Sequence, residues 1–138
     1  MNRYLAALCA AFVLAGCDND GLSNPNVVEE VQGPSADEIL AADLDGLTLD
    51  EFYEESWKAL LYRSPETIVQ LALTEVYPLE EAVLDNITDD YRRETYAMLQ
   101  VALDALHSYD RSLLDLDAQI HYDFYEWYLQ DRLDSQQF

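Results

Sequence analysis

Apolar positions along this chain fall into two regimes. From Tyr4 to Leu14 they are nearly continuous, directly behind Arg3, and they run out at Leu14-Ala15-Gly16-Cys17. From Leu47 onward they recur every three or four residues, the spacing that places side chains on one face of an α-helix. Between the two, residues 17–46 are polar and interrupted by Asn24-Pro25 and Gly33-Pro34, both turn-forming pairs. No stretch keeps the period of two that marks a half-buried strand. The pattern therefore predicts an all-α protein: a small array of about four helices over residues 47–138, behind a signal segment (1–16) and a flexible tether (17–46).

The helix boundaries carry their own chemistry. Thr48-Leu49-Asp50-Glu51 is a capping box, in which the threonine hydroxyl accepts from the amide of Glu51 and the glutamate reaches back. Leu49, Phe52, Tyr53, Trp57, Leu60 and Leu61 follow on one face. Ser64-Pro65-Glu66 restarts a helix, with proline at the first position, where no amide donor is required. That helix carries Ile68, Val69, Leu71, Ala72 and Leu73 and should end before Pro78. After a connector, Thr88 caps a helix running to about Tyr109 with the stripe Thr95, Leu99, Ala102, Leu103 and Leu106. Asp117 opens the last helix, to about Leu133. Within the tether, Ser35-Ala36-Asp37-Glu38 is a further capping sequence, for a short helix through Leu44.

The first apolar run ends in a bacterial lipobox. Small residues at Ala15 and Gly16 admit the backbone to a peptidase, and the Cys17 thiol is positioned for acylation. The run is too short to cross a ~30 Å hydrocarbon core as a helix. Cleavage before Cys17 would remove Arg3 and no acidic residue, leaving the chain one unit more negative than its formal −21. Such a charge opposes binding to nucleic acid or anionic lipid, so membrane attachment rests on the lipid at Cys17. The expected location is the periplasm-facing cell envelope, with Asp18 resembling an inner-membrane retention signal.

Candidate chemistry is sparse. Cys9 falls in the discarded segment and Cys17 is acylated, which excludes a thiolate nucleophile or a disulfide in the mature chain. His107 and His121 are the only histidines and lie 14 positions apart, whereas a zinc-protease helix needs two histidines four apart. Asp43-Leu44-Asp45-Gly46 resembles part of a calcium loop. With Gly46 at the sixth position, however, Ala41 and Phe52 fall where oxygen ligands must stand. No serine sits in a nucleophile elbow. No catalytic residue, cofactor or metal is therefore expected. The densest feature is the last helix, where Tyr122, Phe124, Tyr125, Trp127 and Tyr128 put five aromatics into seven residues. A helix apolar on most sides is usually buried in something larger, so these five residues are the expected packing or partner surface.

Several segments resemble the amino-terminal part of the bacterial lipoprotein family catalogued as domain of unknown function 885. They are Ser64-Pro65-Glu66-Thr67-Ile68-Val69-Gln70-Leu71-Ala72-Leu73, Arg92-Arg93-Glu94-Thr95-Tyr96, Leu106-His107-Ser108-Tyr109-Asp110 and Tyr122-Asp123-Phe124-Tyr125-Glu126-Trp127-Tyr128-Leu129. Ala72 departs from the pattern, where members often carry glycine. The resemblance implies a larger helical, zinc-peptidase-like fold whose metal motif lies beyond the segment resembled here, so that this chain corresponds to a non-catalytic portion. Its partner would then be the missing carboxy-terminal domain. A complete small lipoprotein that binds a separate protein is the alternative.

Replacing Cys17 with serine should abolish fatty-acid labelling of the chain in cells and release it from membranes. Metabolic labelling with a palmitate analogue followed by fractionation checks both.

Overall fold

The computed structural model describes residues 33–81 and 84–135; the lipobox, Cys17 and Asp18 lie outside the described residues. The elements are α1 (Ala36–Leu44), α2 (Leu49–Leu61), α3 (Pro65–Gln70), α4 (Asp89–His107), a single 3₁₀ turn at Arg111–Leu113, and α5 (Leu116–Ser135). No strand occurs among the described residues, and the protein is all-α.

Each helix begins where a polar side chain can take up free amides. At α2 the Thr48 hydroxyl accepts from the Glu51 amide at 3.4 Å, and the Glu51 carboxylate accepts from the Thr48 amide at 2.9 Å. The Thr48 hydroxyl, then its amide, hold the Glu51 carboxyl below its usual range. Thr88 caps α4 by accepting from the Tyr91 amide at 3.4 Å. Two other starts differ from expectation. The cap of α5 is Asp115, whose carboxylate accepts from the Ala118 amide at 2.9 Å, so the helix begins ahead of Asp117. At α3 the Ser64 side chain makes no capping bond. Asp85, from the far end of the connector, accepts instead from the Glu66 amide at 2.9 Å and from the Ser64 hydroxyl at 2.6 Å.

Helix α4 is the centre of the packing and touches α1, α2 and α5. Its expected stripe is buried: Thr95, Leu99, Ala102, Leu103 and Leu106, joined by Met98. Around it close Phe52 and Leu60 of α2 and Tyr122, Tyr125, Leu129 and Leu133 of α5. Arg63, just past α2, fastens that end to α4. Its guanidinium lies over the Tyr91 ring, 3.2 Å from the centroid, and donates to Thr95 Oγ1 and to the Tyr91 carbonyl. At the other end the Tyr109 hydroxyl donates to the Leu47 carbonyl at 2.9 Å.

The short helix expected within the tether is present as α1 and belongs to the folded unit. Helix α1 packs on α4 and α2, and its Leu40 and Leu44 belong to the core. The folded unit thus begins near Gly33 rather than Leu47. A helix with two buried anchors in nine residues gives a weak periodic signal, but both anchors join the core that α4 centres. Gly46 turns the chain into α2 at φ 72°, in the left-handed region that favours glycine.

Helix α3 ends sooner than expected, at Gln70. The Ala72 amide donates to the Val69 carbonyl and the Leu73 amide to the Ile68 carbonyl, the paired bonds of a Schellman cap. Ala72 is left-handed there, at φ 56°. A left-handed L-residue costs roughly 1–2 kcal/mol, part of which glycine returns through its freer unfolded state. Ala72→Gly should therefore stabilise the protein, raising the melting temperature by about 3–6 °C in a thermal unfolding experiment.

An aromatic cleft as candidate functional site

Helices α2 and α5 face each other without backbone contact: no Cα of one lies within 8 Å of a Cα of the other. Aromatic side chains bridge the gap. From α2, Phe52, Tyr53 and Trp57 project across on successive turns; from α5, Tyr125 and Tyr128 meet them. The Tyr125 ring stands edge-on to Tyr53 at 5.3 Å and to Phe52 at 5.9 Å, while Trp57 and Tyr128 are 5.8 Å apart. Edge-on and tilted pairs of this kind suit the ring quadrupole.

One hydrogen bond fixes the bridge. Ser56 Oγ and Tyr125 Oη lie 2.8 Å apart in the core. The serine hydrogen is committed to the Phe52 carbonyl, 2.6 Å away, so the tyrosine is the donor. Burial pushes the Tyr125 phenol up to about 12. Burial, then the neighbouring Tyr122 and Asp50, raise Tyr53 to about 12 as well. Both phenols stay protonated at neutral pH and are poor bases. The Tyr53 hydroxyl is buried and has no hydrogen-bond partner among the described residues.

The rings do not fill the space between the helices. They leave a cleft with a volume of about 650 Å³, open to solvent. Its lining is Tyr53, Trp57, Phe124, Tyr125 and Tyr128, with Asp50 and Glu54 from α2 and His121 from α5. Asp50 and Glu54 are one helical turn apart and exposed. Neither takes part in an ion pair among the described residues, and no lysine or arginine lines the cleft.

The five aromatics expected as one surface divide between three environments. Tyr122 and Tyr125 are core, Tyr128 is a half-buried wall of the cleft, and Phe124 and Trp127 are exposed, at 65% and 60%. His107 and His121 sit on different helices; His107 pairs with Glu126 at 2.6 Å, tying α4 to α5. Among the described residues, no three His, Cys, Asp or Glu side chains gather as a metal-binding group. Asp43–Gly46 is the end of α1 and its turn, with Leu44 in the core. The cleft carboxylates were not separable in sequence from other acidic helix surface. The available signal was the i, i+4 pairing of Asp50 with Glu54 beside that of Tyr53 with Trp57.

The chain matches no family model, no curated protein and no solved structure.

The Ser56–Tyr125 pair predicts an asymmetry. Tyr125→Phe removes one hydrogen bond and leaves the serine bonded to Phe52, at a cost of about 1 kcal/mol. Ser56→Ala strands a buried phenol hydroxyl and should cost more, roughly 1–3 kcal/mol. The double variant should be no less stable than Ser56→Ala alone. Urea unfolding of the three proteins measures the order.

Proposed function

We propose that this chain is a lipid-anchored cell-envelope protein whose helical unit binds a protein partner and performs no catalysis itself. The observation that carries this reading is the outer face of α5. Successive helical residues are about 100° apart around the axis. Tyr122, Tyr125, Leu129 and Leu133 therefore cluster on the side facing α4. Leu116, Ile120, Phe124 and Trp127 cluster on the opposite side. They are 72%, 56%, 65% and 60% exposed, and Leu113 beside them is 82% exposed. The helix thus carries a second apolar stripe after its core-facing side is satisfied. A contiguous apolar patch on an otherwise strongly acidic protein is a typical mark of an interaction surface.

The lipobox supports the anchored part of the proposal, with the lipid on Cys17 holding the chain at the periplasmic face and Asp18 favouring the inner membrane. One observation favours the narrower version suggested by the family resemblance, in which the partner is the metallopeptidase-like body of a larger hydrolase. Ala72 occupies a left-handed position, and this is the position where the resembled family often carries glycine.

A photo-reactive residue at Trp127 or Ile120 in cells should give one discrete protein adduct. The same probe at Gln100, exposed on α4 away from the stripe, should give none. Ile120→Glu combined with Trp127→Glu should leave stability within about 0.5 kcal/mol of the parent, because both positions are exposed, while removing an adduct formed from a probe at Leu116. Equal labelling from Gln100 and Trp127 would sink the proposal.

A further inference from the structure

We propose that the cleft between α2 and α5 binds a small organic cation carrying a quaternary ammonium group. This goes beyond the partner surface and does not rest on it: the two surfaces meet at Phe124, and the rest of the cleft lining lies on α2 and on the side of α5 turned toward it.

Three features define the ligand. The first is the wall. Tyr53, Trp57, Phe124, Tyr125 and Tyr128 line one open cleft, and an aromatic ring attracts a cation held over its face within about 6 Å of its centroid. The second is the charge. Asp50 and Glu54 stand at the same cleft one turn apart, without cationic partners among the described residues, in a chain of net charge −21. The site selects for positive charge and against anions.

The third is a shortage of acceptors. A primary ammonium entering an apolar space must replace its water with hydrogen bonds for three N–H groups. The Tyr125 hydroxyl is spent on Ser56 and the Tyr53 hydroxyl is buried. The acceptors that remain, on Asp50, Glu54, His121 and Tyr128, belong to exposed or half-buried residues rather than to the buried wall. A fully methylated ammonium has no N–H to satisfy, spreads its charge over an apolar surface, and loses little on leaving water for a ring-lined site. The cleft volume of about 650 Å³ accommodates such a head group together with an attached chain, within the ~300–1,000 Å³ range of small-molecule sites.

The test uses the full lipid-anchored chain, purified in a maltoside detergent, with Trp127→Phe so that Trp57 is the sole indole. Choline, ethanolammonium and 3,3-dimethylbutanol, the neutral carbon counterpart of choline, are titrated while Trp57 emission is followed. Choline should give a saturable change. The neutral alcohol and ethanolammonium should each bind at least about fivefold more weakly. Asp50→Asn combined with Glu54→Gln should weaken choline by about fivefold and flatten its salt dependence, leaving the alcohol unaffected. Both positions are exposed, so the helical circular dichroism should not change. Equal binding of choline and the neutral alcohol would reduce the site to an apolar pocket and overturn the proposal. So would tighter binding of a lysine-rich peptide than of choline, or no saturable response to choline at all.

Discussion

Tyr125 sets the distance between α2 and α5, and much of the surrounding arrangement follows from that spacing. Its ring is too large to let the two backbones approach, and its hydroxyl must reach Ser56 to avoid being stranded in the core. Both conditions are met only when α5 stands off from α2 by the length of a phenol. Phe52 then packs against the ring edge below, and Tyr53, Trp57 and Tyr128 are left as walls rather than filling. A leucine at this position would favour closer helices and no cleft. The polar pair therefore trades packing density for a defined gap.

Helix α4 makes that trade affordable. It buries six residues along one side and receives α1, α2 and α5 on it, so the core does not depend on close α2–α5 packing. Most cations of the described unit are tied down as well. Lys58, Arg63, Arg93 and Arg111 each pair with a carboxylate, Arg111 through two bonds to Asp123 at 2.5 and 2.6 Å. The exposed pairs of Lys58, Arg93 and Arg111 add little stability individually. They do remove positive charge from the outward field, leaving a predominantly negative surface broken by the apolar stripe of α5.

Much of this fold was legible in sequence because its signals are local. The Thr48–Glu51 box and the Thr88 cap act over three residues, and the α4 stripe is a simple period. What escaped was non-local. Asp85 caps α3 from about twenty positions away, so Ser64 looked sufficient by itself. Helix α1 was legible as a capped helix through Leu44, but not as part of the core, because its two buried leucines pack on α4, far along the chain. On α5 the aromatic crowding was plain, yet its division into core, cleft and outer stripe depends on where α2 and α4 stand. Tyr53 and Trp57 read as ordinary core positions for the same reason. Only the stand-off imposed by Tyr125 turns them into a wall.

Helix α3 has a different place in this architecture. It packs against α2 alone, and the connector returning to α4 is clipped to it by the single carboxylate of Asp85. Val69, Leu71, Val76, Leu84 and Ile87 along this excursion remain exposed. Segments with few tertiary neighbours open at a fraction of the global unfolding free energy. The described residues of this excursion, 65–81 and 84–87, should therefore exchange their amides with solvent well before those of α4, and the chain can be nicked there without dismantling the four helices α1, α2, α4 and α5 that hold the core. Proteolysis of the folded protein should begin there, away from both the cleft and the outer stripe.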